Sequence, residues 1–173
     1  MKKEIANLLD SVGSAYKVNS ESYPVLNNLT KADDILNFSL SHSLKHMLKR
    51  VGRLARNEVV PKDSKNDLWK ALYNILISGF KMAEILGIKE DEISKGLILN
   101  TKQNYNLTIM QLLVDMGYLA DLLKNVDQGA SFTKPELEKA QVFVINCIDD
   151  VCTLALSQGI ETEVFLSQAH LYI

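Results

Sequence analysis

The stretch that decides the fold is residues 40–56, Leu-Ser-His-Ser-Leu-Lys-His-Met-Leu-Lys-Arg-Val-Gly-Arg-Leu-Ala-Arg. At about 100° per residue in an α-helix, its apolar side chains fall on one arc of roughly 120°. That arc consists of Leu40, Leu44, Met47, Leu48, Val51, Leu54 and Ala55. The pattern predicts a helix that buries this arc in a hydrophobic core and turns its other side outward.

The opposite arc of the same helix is basic. It carries His42 and a set that we call the basic stripe: His46, Lys49, Arg50, Arg53 and Arg56. The stripe holds every arginine of the chain. A guanidinium binds phosphate or carboxylate through two parallel hydrogen bonds. Histidines on the same face add a positive charge that depends on pH. We therefore predict an anion-binding site, with an ordinary solvated helix face as the alternative. No acidic ligand accompanies the histidines, so no metal site is predicted there.

Helical periodicity continues along almost the whole chain, and no strand-like alternation interrupts it. The predicted helices cover 2–16, 31–57, 65–86, 90–100, 105–126, 134–158 and 161–171. Gly87 and Gly159 each follow a long helix, where a left-handed C-cap favours glycine. The sequence predicts an all-α helical bundle that spans residues 1–173 as one domain, with loops at 60–64 and 128–131.

Composition limits the classes of function. The chain has 173 residues, 47% of them hydrophobic, and a net charge of −2, so we expect one globular domain without a general attraction to nucleic acid. No secretion or membrane-spanning segment is expected, and Cys147 and Cys152 cannot pair within one helix, so the predicted location is the cytoplasm. Phosphate loops, dinucleotide fingerprints and nucleophile elbows are absent from the sequence.

The two halves of the chain repeat one pattern. Residues 48–56 line up with 113–121 at a spacing of 65 residues, which is 117 − 52 for the paired glycines. Residues 73–88 line up with 145–160 at a spacing of 72, which is 159 − 87. We predict two repeats, 31–104 and 105–173, each built of a helix pair and a short third helix, after an N-terminal helix.

Polar residues in the second half suggest how the two repeats meet. Helix 105–126 is apolar nearly all round except for a line made of Thr108, Gln111, Asp115 and Tyr118, so it is expected to be buried on most sides. Helix 134–158 turns Asn146, Asp149 and Asp150 to one side. These acids either pair with the basic stripe or form an ordinary exposed face.

The repeat resembles a known family. Gly52-Arg53-Leu54-Ala55 and Gly117-Tyr118-Leu119-Ala120 each lie on a first helix, and each second helix ends at a Gly-Ile pair, at residues 87–88 and 159–160. This arrangement is similar to the all-α nucleotide pyrophosphohydrolases of the MazG and dimeric dUTPase type. Residues 100–105, Asn-Thr-Lys-Gln-Asn-Tyr, resemble the family's Lys- and Asn-rich patch that meets the nucleotide.

The resemblance implies a metal motif that this chain lacks. The family holds magnesium with a Glu-Glu-x-x-Glu on the first helix and a Glu-x-x-Asp on the second, and the metal bridges the triphosphate. The matching first-helix positions are Lys49, Arg50 and Arg53 in one half and Val114, Asp115 and Tyr118 in the other. The second-helix positions are Ala71 and Asn74, and Phe143 and Asn146. Asp115 is the one carboxylate that remains.

Three hypotheses follow from these residues. The first is a catalytically impaired MazG-like protein without a cofactor, whose basic stripe binds a nucleotide or other phosphate-bearing small molecule. Residues that line the former site are then Asn74, Asp115, Tyr118, Asn146 and Asp149. The second is a helical interaction protein, of a kind typical of phage or mobile-element genomes, that docks an acidic protein surface. The third is an active magnesium-dependent pyrophosphohydrolase that uses Asp115, Asp149 and Asp150. A homodimer is compatible with each, and neither membrane nor nucleic acid is expected as a partner.

Overall fold

A computed structural model describes residues 1–16, 21, 24–28, 32–59, 65–100, 104–127 and 131–173. Within these ranges the chain forms seven α-helices, two short 3-10 helices and no strand, which confirms the all-α prediction. The α-helices are α1 (Lys2–Ala15), α2 (Ala32–Val59), α3 (Lys65–Ile85), α4 (Glu90–Gly96), α5 (Tyr105–Asp127), α6 (Lys134–Ser157) and α7 (Thr162–Gln168). The 3-10 helices are Pro24–Asn28 and Ala169–Tyr172. The predicted loops at 60–64 and 128–130, and residues 101–103 of the Lys- and Asn-rich patch, lie outside the described residues.

Two helical hairpins build the centre of the bundle. Helix α2 packs along α3, and α5 packs along α6; the hairpins then meet through α2 against α5 and α3 against α6. Helix α1 lies across α3, α4 and α7. Ion pairs from Lys2 to Asp91 and from the N-terminal amine to Glu163 fix its first turn against the third helix of each repeat. The order α2–α3–α4 is thus followed by the matching order α5–α6–α7, and duplication of one ancestral unit stays a prediction.

The arc predicted on α2 faces the core. Leu40, Met47 and Val51 are fully buried, and the largest enclosed side chains around them include Phe80 of α3 and Phe165 of α7. Leu48 is an exception, because 38% of its surface is exposed at the edge of the arc.

Helix α5 departs further from expectation. Leu107, Met110, Val114 and Tyr118 are between 45% and 59% exposed. They follow one another at intervals of three or four residues and form a single outward face. The prediction that α5 is buried on most sides was wrong, because α2 and α6 cover only its inner side.

The helix ends show how local sequence limits each element. Gly87 and Gly159 have φ values of +68° and +86° and close matching C-caps: the amides of Ile88 and Ile160 donate to the carbonyls of Ala83 and Ala155. The predicted helix 90–100 was too long and ends at Gly96. The predicted helix 161–171 is an α-helix only to Gln168 and then tightens into a 3-10 turn.

Helix α6 is long and apolar enough to cross a membrane by length and composition. However, 56% of its most apolar window is buried inside the bundle, as in the core helix of a soluble protein. A cytoplasmic location stays a prediction.

Candidate anion-binding site

The C-terminal half of α2 and the N-terminal half of α3 form the walls of an open cavity of about 500 Å³, which we call the arginine cavity. Its polar lining is Arg50, Arg53, Arg56, Asp67 and Lys70, and its apolar lining is Leu54, Leu68 and Ala71. Four cations and one carboxylate therefore share this space, so the cavity carries a net positive charge.

The helical register explains this arrangement. Leu54 is 1% exposed and Ala71 is 5% exposed, so these two residues anchor the floor of the cavity in the core. Arg50 and Arg53 are three residues apart on α2 and project from the same side of the helix, with Lys70 facing them from α3. Long basic side chains can thus keep their stems against apolar surface and present their charged ends to the opening.

A smaller cavity of about 130 Å³ follows on the same hairpin, and we call it the histidine cavity. It is lined by Tyr16, His42, Ser43, His46, Asn74, Ile77, Ser78 and Lys81. His46 lies one helical turn before Arg50, and Asn74 lies one turn after Lys70, so the two cavities are neighbours along the groove between α2 and α3.

Burial and neighbouring cations shift the ionisation of the histidine cavity. Burial lowers the pKa of His42, and the charges of His46, Lys81 and Lys45 lower it further. Burial likewise lowers the pKa of His46, followed by the charges of Lys81, Lys49 and Arg50. Lys81 is half-buried with a lowered pKa, and its Nζ lies 4.9 Å from the centre of the Tyr16 ring. A bound anion would oppose each of these shifts.

The structure gathers most of the predicted basic stripe into this groove. Arg50, Arg53 and Arg56 line the arginine cavity, and His46 lines the histidine cavity together with Asn74. Lys49 is exposed and lines neither, although its charge acts on His46.

The other predicted lining residues lie on the second hairpin. Asp115 of α5 is 4% exposed, and its two carboxylate oxygens accept hydrogen bonds from Gln111 at 3.2 Å and Asn146 at 3.4 Å. The ring of Tyr118 stacks on Phe143 of α6 with centroids 5.2 Å apart. These residues form a cluster separate from the arginine cavity.

The acids of α6 do not pair with the basic stripe, which was one of the two alternatives given for them. Asp149 Oδ1 accepts hydrogen bonds from the amides of Ile98 at 2.8 Å and Leu99 at 2.9 Å. These bonds hold Leu99, whose φ of +50° is left-handed, in the turn that ends α4.

Asp150 is buried rather than exposed, which corrects the alternative of an ordinary exposed face. Its Oδ2 atom has no hydrogen-bond partner in the described structure. Burial raises the pKa of Asp150 to about 7, and the charges of Asp115 and Asp149 contribute. Burial raises the pKa of Cys147 well above its usual value, and the charges of Asp115 and Asp150 raise it further.

These positions do not fit the magnesium site that the resemblance implies. In the first hairpin the matching positions on α2 are cations, which repel a divalent ion, and those on α3 are Ala71 and Asn74, which carry no charge. In the second hairpin Asp149 is committed to backbone amides, and Asp115 is bonded to two side-chain amides. Across the described part of the chain, no three His, Cys, Asp or Glu side chains are grouped to hold a metal.

Sequence reasoning predicted Asn74 but missed most of the contribution of α3. Asp67, Lys70, Asn74, Ser78 and Lys81 line the two cavities and follow one another at intervals of three or four residues. That spacing marks one helix face and was readable in the sequence. Which face of α3 meets the basic stripe depends on how the two helices pack.

No family model matches this chain, and neither the curated proteins nor the solved structures contain a significant match.

Proposed function

We propose that this protein binds a phosphate-bearing small molecule in the arginine cavity without using a metal ion. The observation that carries the proposal is that all three arginines of the chain open into one cavity and face Lys70 across it. Each guanidinium offers a fixed fork of donors that suits phosphate oxygens. Among the described lining residues Asp67 is the only carboxylate, against four cations, so their balance of charge favours an anion.

Size and lining are consistent with a small molecule. Small-molecule sites are clefts of about 300–1,000 Å³ with a few placed polar groups, and the arginine cavity has about 500 Å³. Leu54, Leu68 and Ala71 supply an apolar patch beside the cations. A nucleotide fits this combination, with its phosphates on the arginines and its uncharged part on the apolar floor.

The family resemblance supports the same proposal. Where a MazG-type hydrolase has carboxylates for magnesium, this chain has Arg50 and Arg53. Direct contact from these arginines would replace the metal in holding phosphate but would not activate a water molecule. The proposed protein is therefore a nucleotide sensor or sequestering protein rather than a hydrolase.

The test is calorimetric titration with pyrophosphate and with nucleoside mono-, di- and triphosphates, with and without Mg²⁺. We expect binding that does not require Mg²⁺ and falls roughly 100-fold in the Arg50→Ala/Arg53→Ala variant, because two charge-assisted contacts are lost. The matched control is Lys95→Ala/Lys139→Ala, which removes the same charge from exposed positions outside the arginine cavity.

Two results would overturn the proposal. Equal affinity in both double variants would show that net charge alone attracts the anion. Release of pyrophosphate that requires Mg²⁺ and disappears in Asp115→Asn would instead support the active hydrolase, whose site would use Asp115, Asp149 and Asp150.

The outward apolar face of α5 favours a second candidate, a protein that docks and regulates a macromolecular partner. Leu107, Met110, Val114 and Tyr118 are half-exposed, and Val142 of α6 is also 54% exposed. Exposed apolar patches mark interaction sites in soluble proteins. A Met110→Lys/Val114→Lys variant that loses a copurifying partner, yet keeps pyrophosphate binding, would support this candidate.

A further inference from the structure

We propose that the histidine cavity is a second anion subsite, so that a phosphate-bearing ligand with a linear chain of phosphate groups can span both cavities. This inference rests on the proposed function, because the arginine cavity holds one end of the chain. His42, His46 and Lys81 hold the other end. Contact at that end strengthens when the two histidines are protonated.

The two cavities follow each other along the same pair of helices, at a spacing that such a ligand can span. At 1.5 Å rise per residue, His46 and Arg53 are about 10 Å apart along α2, and His42 and Arg56 are about 21 Å apart. Helix α3 forms the opposite wall of both cavities, with Lys70 in one and Lys81 in the other. Cationic groups therefore recur along the groove from both walls, and a ligand with repeated negative charge can meet them in turn.

The hydroxyl groups of the histidine cavity are engaged within their own helices. The hydroxyls of Ser43 and Ser78 already donate at 2.8 Å to the carbonyls of Ser39 and Asn74, within their own helices. The Asn74 amide likewise donates to the Lys70 carbonyl. An anion in this cavity would therefore be attracted mainly by the charges of Lys81 and of the protonated histidines, and the second N–H of Asn74 could also donate to it.

Burial, and then cations on both walls, oppose protonation of the histidine pair. The two rings lie 4.5 Å apart, and Lys45, Lys49 and Arg50 act on them from α2. Lys81 acts from α3 and the Tyr16 phenol lies beside it from α1. A phosphate group in this cavity would act against the lowered pKa values of the two histidines and favour the charged imidazolium. Binding of the chain is therefore expected to take up protons, and affinity should rise as pH falls.

The size of the histidine cavity favours a phosphate chain over a nucleic acid. Its volume of about 130 Å³ is well below the range of sites that hold a whole small molecule. It can accept one compact charged group but not a nucleobase and its sugar. A polyphosphate chain carries such groups along its whole length.

The experiment compares pyrophosphate with long-chain inorganic polyphosphate by calorimetry at about pH 6 and about pH 8. Four proteins are titrated: the wild type, His42→Gln/His46→Gln, Arg50→Ala/Arg53→Ala and Lys95→Ala/Lys139→Ala. We expect the long chain to bind the wild type about tenfold more tightly at the lower pH than at the higher, with net proton uptake. In the histidine variant this pH dependence of long-chain binding should disappear, whereas Lys95→Ala/Lys139→Ala, which changes exposed lysines outside both cavities, should keep it. Far-UV circular dichroism of each variant checks that the fold is kept.

The possible failures can be told apart. If pyrophosphate binds at the arginines but the long chain shows no dependence on His42 and His46, the second subsite is wrong and the proposed function stands. If neither ligand binds the wild type, the proposed function itself fails. If a single-stranded oligonucleotide of equal charge binds more tightly than the polyphosphate, the ligand class is wrong.

Discussion

The two central hairpins have the same helix order but opposite chemistry. Between α2 and α3 an open groove carries arginines, lysines and histidines. Between α5 and α6 the corresponding polar residues are carboxylates and amides, and Asp115 and Asp150 are buried. One backbone arrangement therefore supports either an accessible cationic site or a closed acidic cluster, and the side chains at a few aligned positions determine which one forms.

The sharpest contrast lies at two aligned positions. Arg53 and Ala71 line the arginine cavity, whereas the residues that align with them, Tyr118 and Phe143, stack on each other. The small side chain of Ala71 leaves space that the phenylalanine ring occupies in the second hairpin. Closure of the second site is thus a packing effect as well as a change of charge.

The largest expected effect comes from placing a phenylalanine, as in the second hairpin, at the aligned position of the first hairpin. Ala71→Phe adds a ring to the floor of the arginine cavity without removing a cation, so we expect pyrophosphate affinity to fall roughly 100-fold, as when direct phosphate contacts are lost. Calorimetry measures the loss. The converse variant, Phe143→Ala, should gain no phosphate binding because Asp115 repels the anion. Unchanged binding by Ala71→Phe would show that the anion lies elsewhere.

Asp150 gives the next largest effect. Its carboxyl has a pKa of about 7 in the folded protein and about 4 when unfolded, so the folded state holds the extra proton between these values. Stability from this group is present at low pH and is lost as pH rises towards 7. We expect Asp150→Asn to raise the free energy of unfolding by about 1–2 kcal/mol at pH 8, with little gain near pH 4. Urea titration at both pH values tests this, and an equal gain at both would contradict it.

The matching glycine caps should respond alike. Gly87→Ala and Gly159→Ala each place a side chain in left-handed backbone, so each should cost about 1 kcal/mol of stability. Gly52→Ala and Gly117→Ala are matched controls inside helices, where an added Cβ meets open space. These two changes should stabilise by about 0.5–1 kcal/mol. Thermal unfolding of the four variants compares the two hairpins directly. Stability changes of opposite sign at two paired glycines would contradict the structural correspondence between the hairpins.

Lys49 should give the smallest effect. It belongs to the basic stripe by sequence, but it is exposed and lies outside both cavities. Its remaining influence is a screened charge, so Lys49→Ala should change pyrophosphate affinity by less than about threefold at physiological salt. A loss as large as that of Arg50→Ala would place the ligand on the outer face of α2.

The sequence was sufficient to predict the helices and much of the core, because both depend on local periodicity. The arc on α2 and the caps at Gly87 and Gly159 are confirmed. The end of α4 could not be predicted, because the turn after it is held by Asp149. This carboxylate accepts a hydrogen bond from the amide of Leu99, which is 50 residues away along the chain.

Prediction of the site was less complete for a similar reason. The arginines were found because they cluster along the chain, but their partner Lys70 is supplied by the packing of α3. The burial of Asp150 and the exposure of Val114 depend on which faces the neighbouring helices cover. Helical spacing alone does not determine that choice.

The most direct test of the account observes the arginine side chains themselves. Because the chain has only Arg50, Arg53 and Arg56, a ¹H–¹⁵N spectrum of the Nε–Hε groups reports on the basic stripe alone. We predict that pyrophosphate shifts the Arg50 and Arg53 signals saturably without Mg²⁺, and that these shifts are lost in Ala71→Phe. Signals that stay unmoved in the wild type, or that move equally in Ala71→Phe, would contradict anion binding in the arginine cavity.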